Sequence, residues 1–411
     1  MAYSIPVIDL QDFPGNMKKL MKASEEWGCF RIVNFESILP KSLMDEMRAV
    51  VISLLELPYE IKQRNVDVIE GSGYRFPDRI NPIHEGFGLY DAASSEAVNA
   101  FCALLNATPQ QRTVTVREII TRYGRAVYEL SMAIGRKLGE GLGLTDVSFK
   151  KWPSQFRINK YPFTPENIDS DGLRPHTDNS FLTILQEDEQ FGGLEVMQRS
   201  GKLVQVEPCP GTLIINLGDL AQVWSNGRFY NVKHRVSSKQ AGIRITIATF
   251  LLGPREEAVE APSELVTSDN PRRYVPFKFE DYWKSKFYKC LDDGEALNPF
   301  RIESAEIVEM VVVLGARMVK MVVGLFDDLE QNIHLREISK QQSPQDVSPE
   351  LFSVLQDVKK AMVSFQIHEQ RRDAAQLIEV DRIFQVFDGL VQKASALVKH
   401  PDCGGGGEIG I

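Results

Sequence analysis

Cysteine is sparse in this chain and carries no pattern. The five present among 411 residues, Cys29, Cys102, Cys209, Cys290 and Cys403, show no paired metal-ligand spacing, and their odd number suits reduced thiols rather than a disulfide framework. A membrane span is missing as well, because no stretch supplies about 18 uninterrupted apolar residues. Ala305 to Phe326 comes nearest, yet Glu306, Glu309, Arg317 and Lys320 interrupt it, so it reads as a helix packed against protein. The opening Met1-Ala-Tyr-Ser-Ile-Pro-Val-Ile-Asp-Leu has neither the charged nor the long apolar region of a secretory signal, and a cytoplasmic location is expected. Nor is positive charge in excess: 47 basic against 56 acidic residues leave a net −9, which draws in neither nucleic acid nor anionic lipid. The expected partner is a small-molecule substrate, with no nucleic acid and no membrane; oligomeric state has no signature in the sequence.

What is present is ordinary globular composition, 43% hydrophobic and 25% charged, long enough for one large core or two modest ones. Residues 1–150 read as a mostly helical region. A short strand, Ile5 to Leu10, precedes amphipathic helices at Asn16 to Trp27, Leu43 to Leu57 and Val116 to Leu142, where apolar positions recur every three or four residues. From Gln155 to Leu252 the period falls to two, with turn signals at Asp171-Gly172, Gly192-Gly193, Pro210-Gly211 and Asn226-Gly227. Short strands at such spacing predict a sandwich or barrel over residues 151–302. Residues 303–400 turn helical again, with candidates at 304–332, 349–369 and 373–399, the second starting at Pro349. Residues 401–411, including Gly404 to Gly407, are expected to form a flexible tail.

Histidine is the other scarce residue, and two of the six fall in the strand-rich region. His176 and Asp178 are two apart, so on a strand both side chains leave one face and can grip one ion. In Val232-Lys233-His234-Arg235-Val236 the alternation puts His234 on the face of the two valines, opposite Lys233 and Arg235. Two imidazoles and one carboxylate form a facial set that leaves other octahedral positions open, as ferrous oxygenases require. Read singly, a histidine is more often a satisfied core or turn residue, and His84, His334, His368 and His400 keep that reading. Downstream, Arg244, Thr246, Ala248 and Phe250 share a second strand face. An arginine pointing into an apolar barrel needs a partner, and its planar fork suits a carboxylate. That partner is either a dicarboxylate co-substrate or an internal acid beside an edge strand. In Gln155-Phe-Arg-Ile-Asn-Lys-Tyr161 the polar trio Arg157, Asn159 and Tyr161 shares one face, with core packing of Tyr161 as the alternative.

Together with Ile5-Pro-Val-Ile-Asp-Leu and Trp27-Gly-Cys-Phe, these motifs resemble the plant 2-oxoglutarate and iron(II)-dependent dioxygenases, over roughly residues 3 to 300. Leu57-Pro-Tyr-Glu-Ile-Lys-Gln-Arg-Asn, Gly71-Ser-Gly-Tyr, Trp152-Pro-Ser-Gln-Phe-Arg and Trp224-Ser-Asn-Gly-Arg are similar to the subgroup that oxidises auxin, indole-3-acetic acid, to 2-oxindole-3-acetic acid. That subgroup's relatives also act on other specialised metabolites of flavonoid, alkaloid or gibberellin-like kind. Two departures stand out: the family's Asn-His-Gly is Asn34-Phe35-Glu36 here, and its Arg-x-Ser is Arg244-Ile245-Thr246, which keeps the hydroxyl.

The resemblance implies a mainly β fold with flanking helices, a double-stranded β-helix or jelly roll with the metal at its mouth. The helical stretch after residue 303 has no counterpart in the family. It further implies Fe(II) on His176, Asp178 and His234, and the distal carboxylate of 2-oxoglutarate on Arg244 and Thr246, with Asn159 and Tyr161 lining its pocket. Dioxygen is the oxidant, and ascorbate is expected as an activator. An aromatic wall suits an indole ring, and Tyr74, Phe87 and Phe250 are the candidates for it. Two other classes compete: a cupin-like zinc or manganese enzyme, against which Arg244 argues, and an inactive scaffold acting through the C-terminal helices, against which the intact ligands argue.

Overall fold

Alternating polar and apolar residues build two sheets whose inner faces enclose a cavity. The computed structural model describes residues 5–302, apart from 14, 67–72, 79–81, 106–109, 290, 292 and 293. The chain divides into two compact units, Met1–Ile302 and Glu303–Ile411. The helices expected at 304–332, 349–369 and 373–399, and the tail at 401–411, lie outside the described residues. Among the described residues no helix is long and apolar enough to cross a membrane.

In the first half the order is β1 (Val7–Asp9), α1 (Met17–Glu26), β2 (Cys29–Val33), α2 (Lys41–Leu55), α3 (Tyr59–Lys62), β3 (Glu85–Tyr90), α4 (Ser95–Leu104) and α5 (Gln110–Gly141). Strands then dominate: β4 (Ser154–Phe163), β5 (Asp171–His176), β6 (Leu182–Gln186), β7 (Leu194–Met197), β8 (Leu203–Val206) and β9 (Leu213–Leu217). After α6 (Asp219–Trp224) come β10 (His234–Ser237), β11 (Gly242–Leu251), β12 (Ala258–Val259), β13 (Phe277–Lys278) and α7 (Phe279–Lys289). The larger sheet runs β1-β2-β9-β6-β11-β4-β3 and the smaller runs β5-β10-β7-β8, with β12 and β13 forming a separate pair. This is the jelly roll with flanking helices.

The expected period of two is visible in the burial. On β4, Phe156 and Ile158 join the main core, while Gln155, Arg157, Asn159 and Tyr161 line the cavity. On β11, Ile245 and Ile247 pack outward, while Arg244, Thr246 and Ala248 face inward. Helix α5 covers the outer face, packing on β6 and β11. Its residues Tyr123, Val127, Leu130, Ile134 and Leu138 make one buried stripe at three- and four-residue spacing. Each such side chain contributes about 1.5–3 kcal/mol when fully buried.

Residues 1–150 do not stand apart as a helical region, because their strands complete the larger sheet. Strand β2 pairs with β9, and β3 pairs with β4. Local periodicity shows helices but not the distant partners that turn a short run such as Glu85-Gly-Phe-Gly-Leu-Tyr90 into a strand. Gly28, at φ +60°, enters β2 where a Cβ would stand 2.0 Å from the Tyr230 carbonyl oxygen, so only glycine fits the turn.

Candidate active site

Antiparallel pairing of β5 with β10 sets His176 directly opposite His234. Each imidazole is fixed by the carbonyl two residues before it: His176 Nδ1 lies 2.7 Å from the Arg174 carbonyl oxygen and His234 Nδ1 lies 3.1 Å from that of Val232. A carbonyl only accepts, so both Nδ1 atoms carry the proton and both Nε2 atoms present a lone pair. Those two Nε2 atoms each lie 3.6 Å from Asp178 Oδ1. All three donor atoms fall within 4.8 Å of one another, a set able to hold a metal ion. Desolvation, reinforced by the neighbouring His234, holds the His176 imidazole below its ordinary value, which favours the neutral, ligating form.

The carboxylate is held as firmly. Thr183 Oγ1 donates to Asp178 Oδ2 at 2.6 Å, leaving Oδ1 toward the imidazoles. Behind it, the Asp219 amide donates to the Asp178 carbonyl at 2.9 Å. Gly218 permits that approach, since a Cβ there would stand 2.2 Å from the Ser180 carbonyl oxygen. Buried Lys286 of α7 donates to the Thr177 carbonyl at 2.7 Å and to Asp219 at 3.1 Å, tying the helix to the loop between His176 and Asp178.

The cavity holds about 260 Å³ and extends from these residues to Arg244. Arg244 is only 2% exposed, and among the described residues its Nε has no hydrogen-bond partner. Its strand lies between β6 and β4, with Arg244 itself paired to Tyr161 of β4. The nearby acids are engaged elsewhere, Glu187 with Arg31 and Asp188 with Arg48 and the Ile245 amide. The Tyr161 ring lies 5.4 Å from the Arg244 guanidinium carbon. Thr246 and Asn159, paired in register one step along from Arg244 and Tyr161, line the same wall. A buried cation with no counter-ion among the described residues, beside a hydroxyl and an amide, fits one carboxylate of a dicarboxylic acid.

Of the aromatic candidates, Phe250 lines the cavity and Tyr74 and Phe87 do not. Phe87 is sequestered in the main core against Phe101, and the Tyr74 hydroxyl donates to Glu85 at 2.8 Å. Residue type identified them as apolar wall; the glycine-flanked strand β3 turns Phe87 outward, away from the cavity. His84, Asn216, Trp283 and Lys286 line the cavity without having been singled out in the sequence. The alternation of β9 was the only available signal, and that only for Asn216.

The sequence matches the 2OG-Fe(II) oxygenase superfamily over residues 152–253 and the N-terminal region of non-haem dioxygenases in morphine synthesis over residues 5–80. The 2-oxoglutarate-dependent dioxygenase DAO of Oryza sativa subsp. indica is 44% identical over 299 residues, which are 71% of this chain and 97% of that protein. A crystal structure of the rice dioxygenase for auxin oxidation aligns with a TM-score of 0.66 at 43% identity, covering 72% of this chain and all (100%) of that one. The 2-oxoglutarate complex of dioxygenase for auxin oxidation 1 from Arabidopsis thaliana aligns at 0.61 with 51% identity, covering 65% and 100%.

Proposed function

Because this chain belongs to the 2-oxoglutarate and iron(II)-dependent dioxygenases, we propose that its prime substrate is a small aromatic organic acid, with indole-3-acetic acid oxidised to 2-oxindole-3-acetic acid as the foremost case. The observation that carries the substrate class is the charge of the cavity wall. Arg75, Arg157, Arg174 and Arg244 line it, against Asp178 as its one carboxylate among the described residues, while Lys286 is balanced by Asp219. The co-substrate's dianion uses part of that positive field, and an anionic substrate uses more. Similarity to the auxin-oxidising dioxygenases of rice and Arabidopsis supports indole-3-acetic acid within the class.

In this reading His176, Asp178 and His234 hold Fe(II), and Arg244 with Thr246 grips the distal carboxylate of 2-oxoglutarate, lined by Asn159 and Tyr161. Once bound, iron and 2-oxoglutarate supply the oxygen activation, with succinate and carbon dioxide released. The chain's own groups orient and exclude. The i−2 carbonyls keep both imidazoles in the ligating tautomer, and Thr183 keeps one Asp178 oxygen turned to the ion. Phe250 and Trp283 give the substrate an apolar wall that displaces water, and placement of the ring fixes which carbon reacts.

Succinate release with Fe(II), 2-oxoglutarate, ascorbate and each of indole-3-acetic acid, its amide, a flavonoid and a gibberellin-like acid tests this. Release coupled to indole-3-acetic acid, with 2-oxindole-3-acetic acid formed, is the expected result. Coupling only to the flavonoid, or equal coupling to acid and amide, overturns it.

A further inference from the structure

His84 is buried, only 4% exposed, and lies just ahead of β3, outside the residues so far given a role. It lines the cavity and touches two residues of the Arg244 wall. Its Nε2 is 3.0 Å from Asn159 Oδ1, and its ring stacks on Tyr161 at 5.1 Å between centroids and 17° between planes. Gly86 makes room for this, because a Cβ there would stand 3.3 Å from His84 Nε2 and 2.4 Å from the Ile158 carbonyl oxygen.

The position of the single imidazole proton follows from the surroundings. Desolvation and the charge of Arg157 hold His84 down to about 4, so the ring is neutral. Among the described residues His84 Nδ1 has no hydrogen-bond partner. A proton on Nδ1 would therefore be a buried donor with nothing to bond, whereas an idle lone pair there costs less. The proton belongs on Nε2, donating to Asn159 Oδ1. That fixes which way the Asn159 amide points: oxygen to His84, and the two hydrogens of Nδ2 turned from it to the cavity side, beside Thr246.

We propose that His84 is a positioning residue for the co-substrate end of the cavity. By donating to Asn159 it aims the Nδ2 amide hydrogens at a carboxylate of the bound 2-oxo acid, and by stacking on Tyr161 it seats the ring that lies against Arg244. The inference rests on the proposed placement of 2-oxoglutarate against Arg244. A role in folding alone would leave 2-oxoglutarate affinity untouched.

The test uses the full chain loaded with Fe(II) under nitrogen, titrated calorimetrically with 2-oxoglutarate. His84→Phe keeps an aromatic ring on Tyr161 and removes the donor; the expected dissociation constant rises about tenfold. His84→Gln, whose amide nitrogen reaches the position of Nε2, is expected to stay within about twofold of the parent. KM for the organic substrate should move by less than about twofold in both. Arg244→Lys is the control for the underlying reading. If it weakens 2-oxoglutarate binding and His84→Phe does not, His84 has no positioning role. If neither variant changes affinity, the placement of 2-oxoglutarate against Arg244 is itself wrong and the proposal falls with it. If His84→Phe does not fold, Asn159→Asp decides: it still accepts from His84 but sets an anion where the amide donated. Loss of affinity by about tenfold or more is expected, and unchanged affinity overturns the proposal.

Discussion

Two arginines are buried in the larger sheet, and they differ in everything but depth. Arg31 on β2 is 1% exposed and fully engaged, bonding Glu187 at 2.8 Å, Thr212 at 2.7 Å and the Glu207 carbonyl. Arg244 on β11 is 2% exposed, has an unpartnered Nε, and faces a cavity instead of an acid. Arg31 is thus satisfied by the fold itself, whereas Arg244 is the residue to which the proposed function assigns a carboxylate of the co-substrate. The metal end sides with Arg244 in purpose but with Arg31 in construction, since each ligand is already braced by a carbonyl or a hydroxyl.

The largest expected effect separates site from scaffold at that end. Alanine at His176, Asp178 or His234 should lower turnover by more than about 10³-fold and abolish stoichiometric Fe(II) binding. Melting of the metal-free protein should stay close to that of the parent. Full turnover in any of the three would remove that residue from the metal set.

Next in size is the ion pair. Arg31→Met strands Glu187 in a buried site and should cost about 3–5 kcal/mol in stability by denaturant unfolding. Desolvation already holds the Glu187 carboxyl above its ordinary value in spite of Arg31, so the pair is no large net gain. The double variant Arg31→Met, Glu187→Gln should therefore recover more than half of the loss, the amide oxygen still accepting from the Cys209 N–H. Without recovery, Arg31 acts through packing and Thr212, and the contrast with Arg244 weakens.

Arg244→Lys inverts that pattern. A point charge cannot reproduce a two-pronged grip, so the 2-oxoglutarate requirement should rise about 10- to 100-fold with substrate KM nearly constant. Stability without ligand should change by less than about 1 kcal/mol, because no protein bond to the guanidinium is lost. A large loss of stability with unchanged 2-oxoglutarate dependence would make Arg244 a second Arg31.

These two arginines also mark how far the sequence was legible. Arg244, Thr246, His176 and His234 declare their facing through two-residue alternation, which depends only on neighbours in the chain, whereas Asp178, expected on the same strand as His176, stands in the loop after β5 ends at His176 and reaches the site from there. The same alternation turned Arg157, Asn159 and Tyr161 inward as expected. Arg31 and Glu187 are 156 positions apart, and nothing local pairs them. Strands β2 and β3 were missed for the same reason, since their ladders are made with β9 and β4. Tyr74 and Phe87 failed as wall candidates because aromatic character marks burial, not the side of a sheet on which burial occurs. In the sequence alone His84 reads as a satisfied core histidine, and the bond to Asn159 that alters that reading spans 75 positions.

The smallest effect probes the bracing of the metal end. Thr183 on β6 receives a hydrogen bond from Ser180 at 2.9 Å and spends its own proton on Asp178 Oδ2 at 2.6 Å. It touches the ion site only through that carboxylate, and it sits in the larger sheet while both histidines sit in the smaller. It is therefore a side-chain link by which the larger sheet sets the angle of a ligand. Thr183→Val keeps the shape and deletes the donor, leaving Asp178 free to rotate and the Ser180 hydroxyl to find a new acceptor. Partners of this kind change metal affinity by about 10- to 100-fold, and with both imidazoles still locked the low end, about tenfold, is expected for Fe(II). The affinity for 2-oxoglutarate at saturating Fe(II) should hardly move, since Arg244 is untouched. Should Thr183→Val bind Fe(II) as tightly as the parent, the two sheets set their halves of the site independently, and Asp178 is held by its own loop through the Asp219 amide alone.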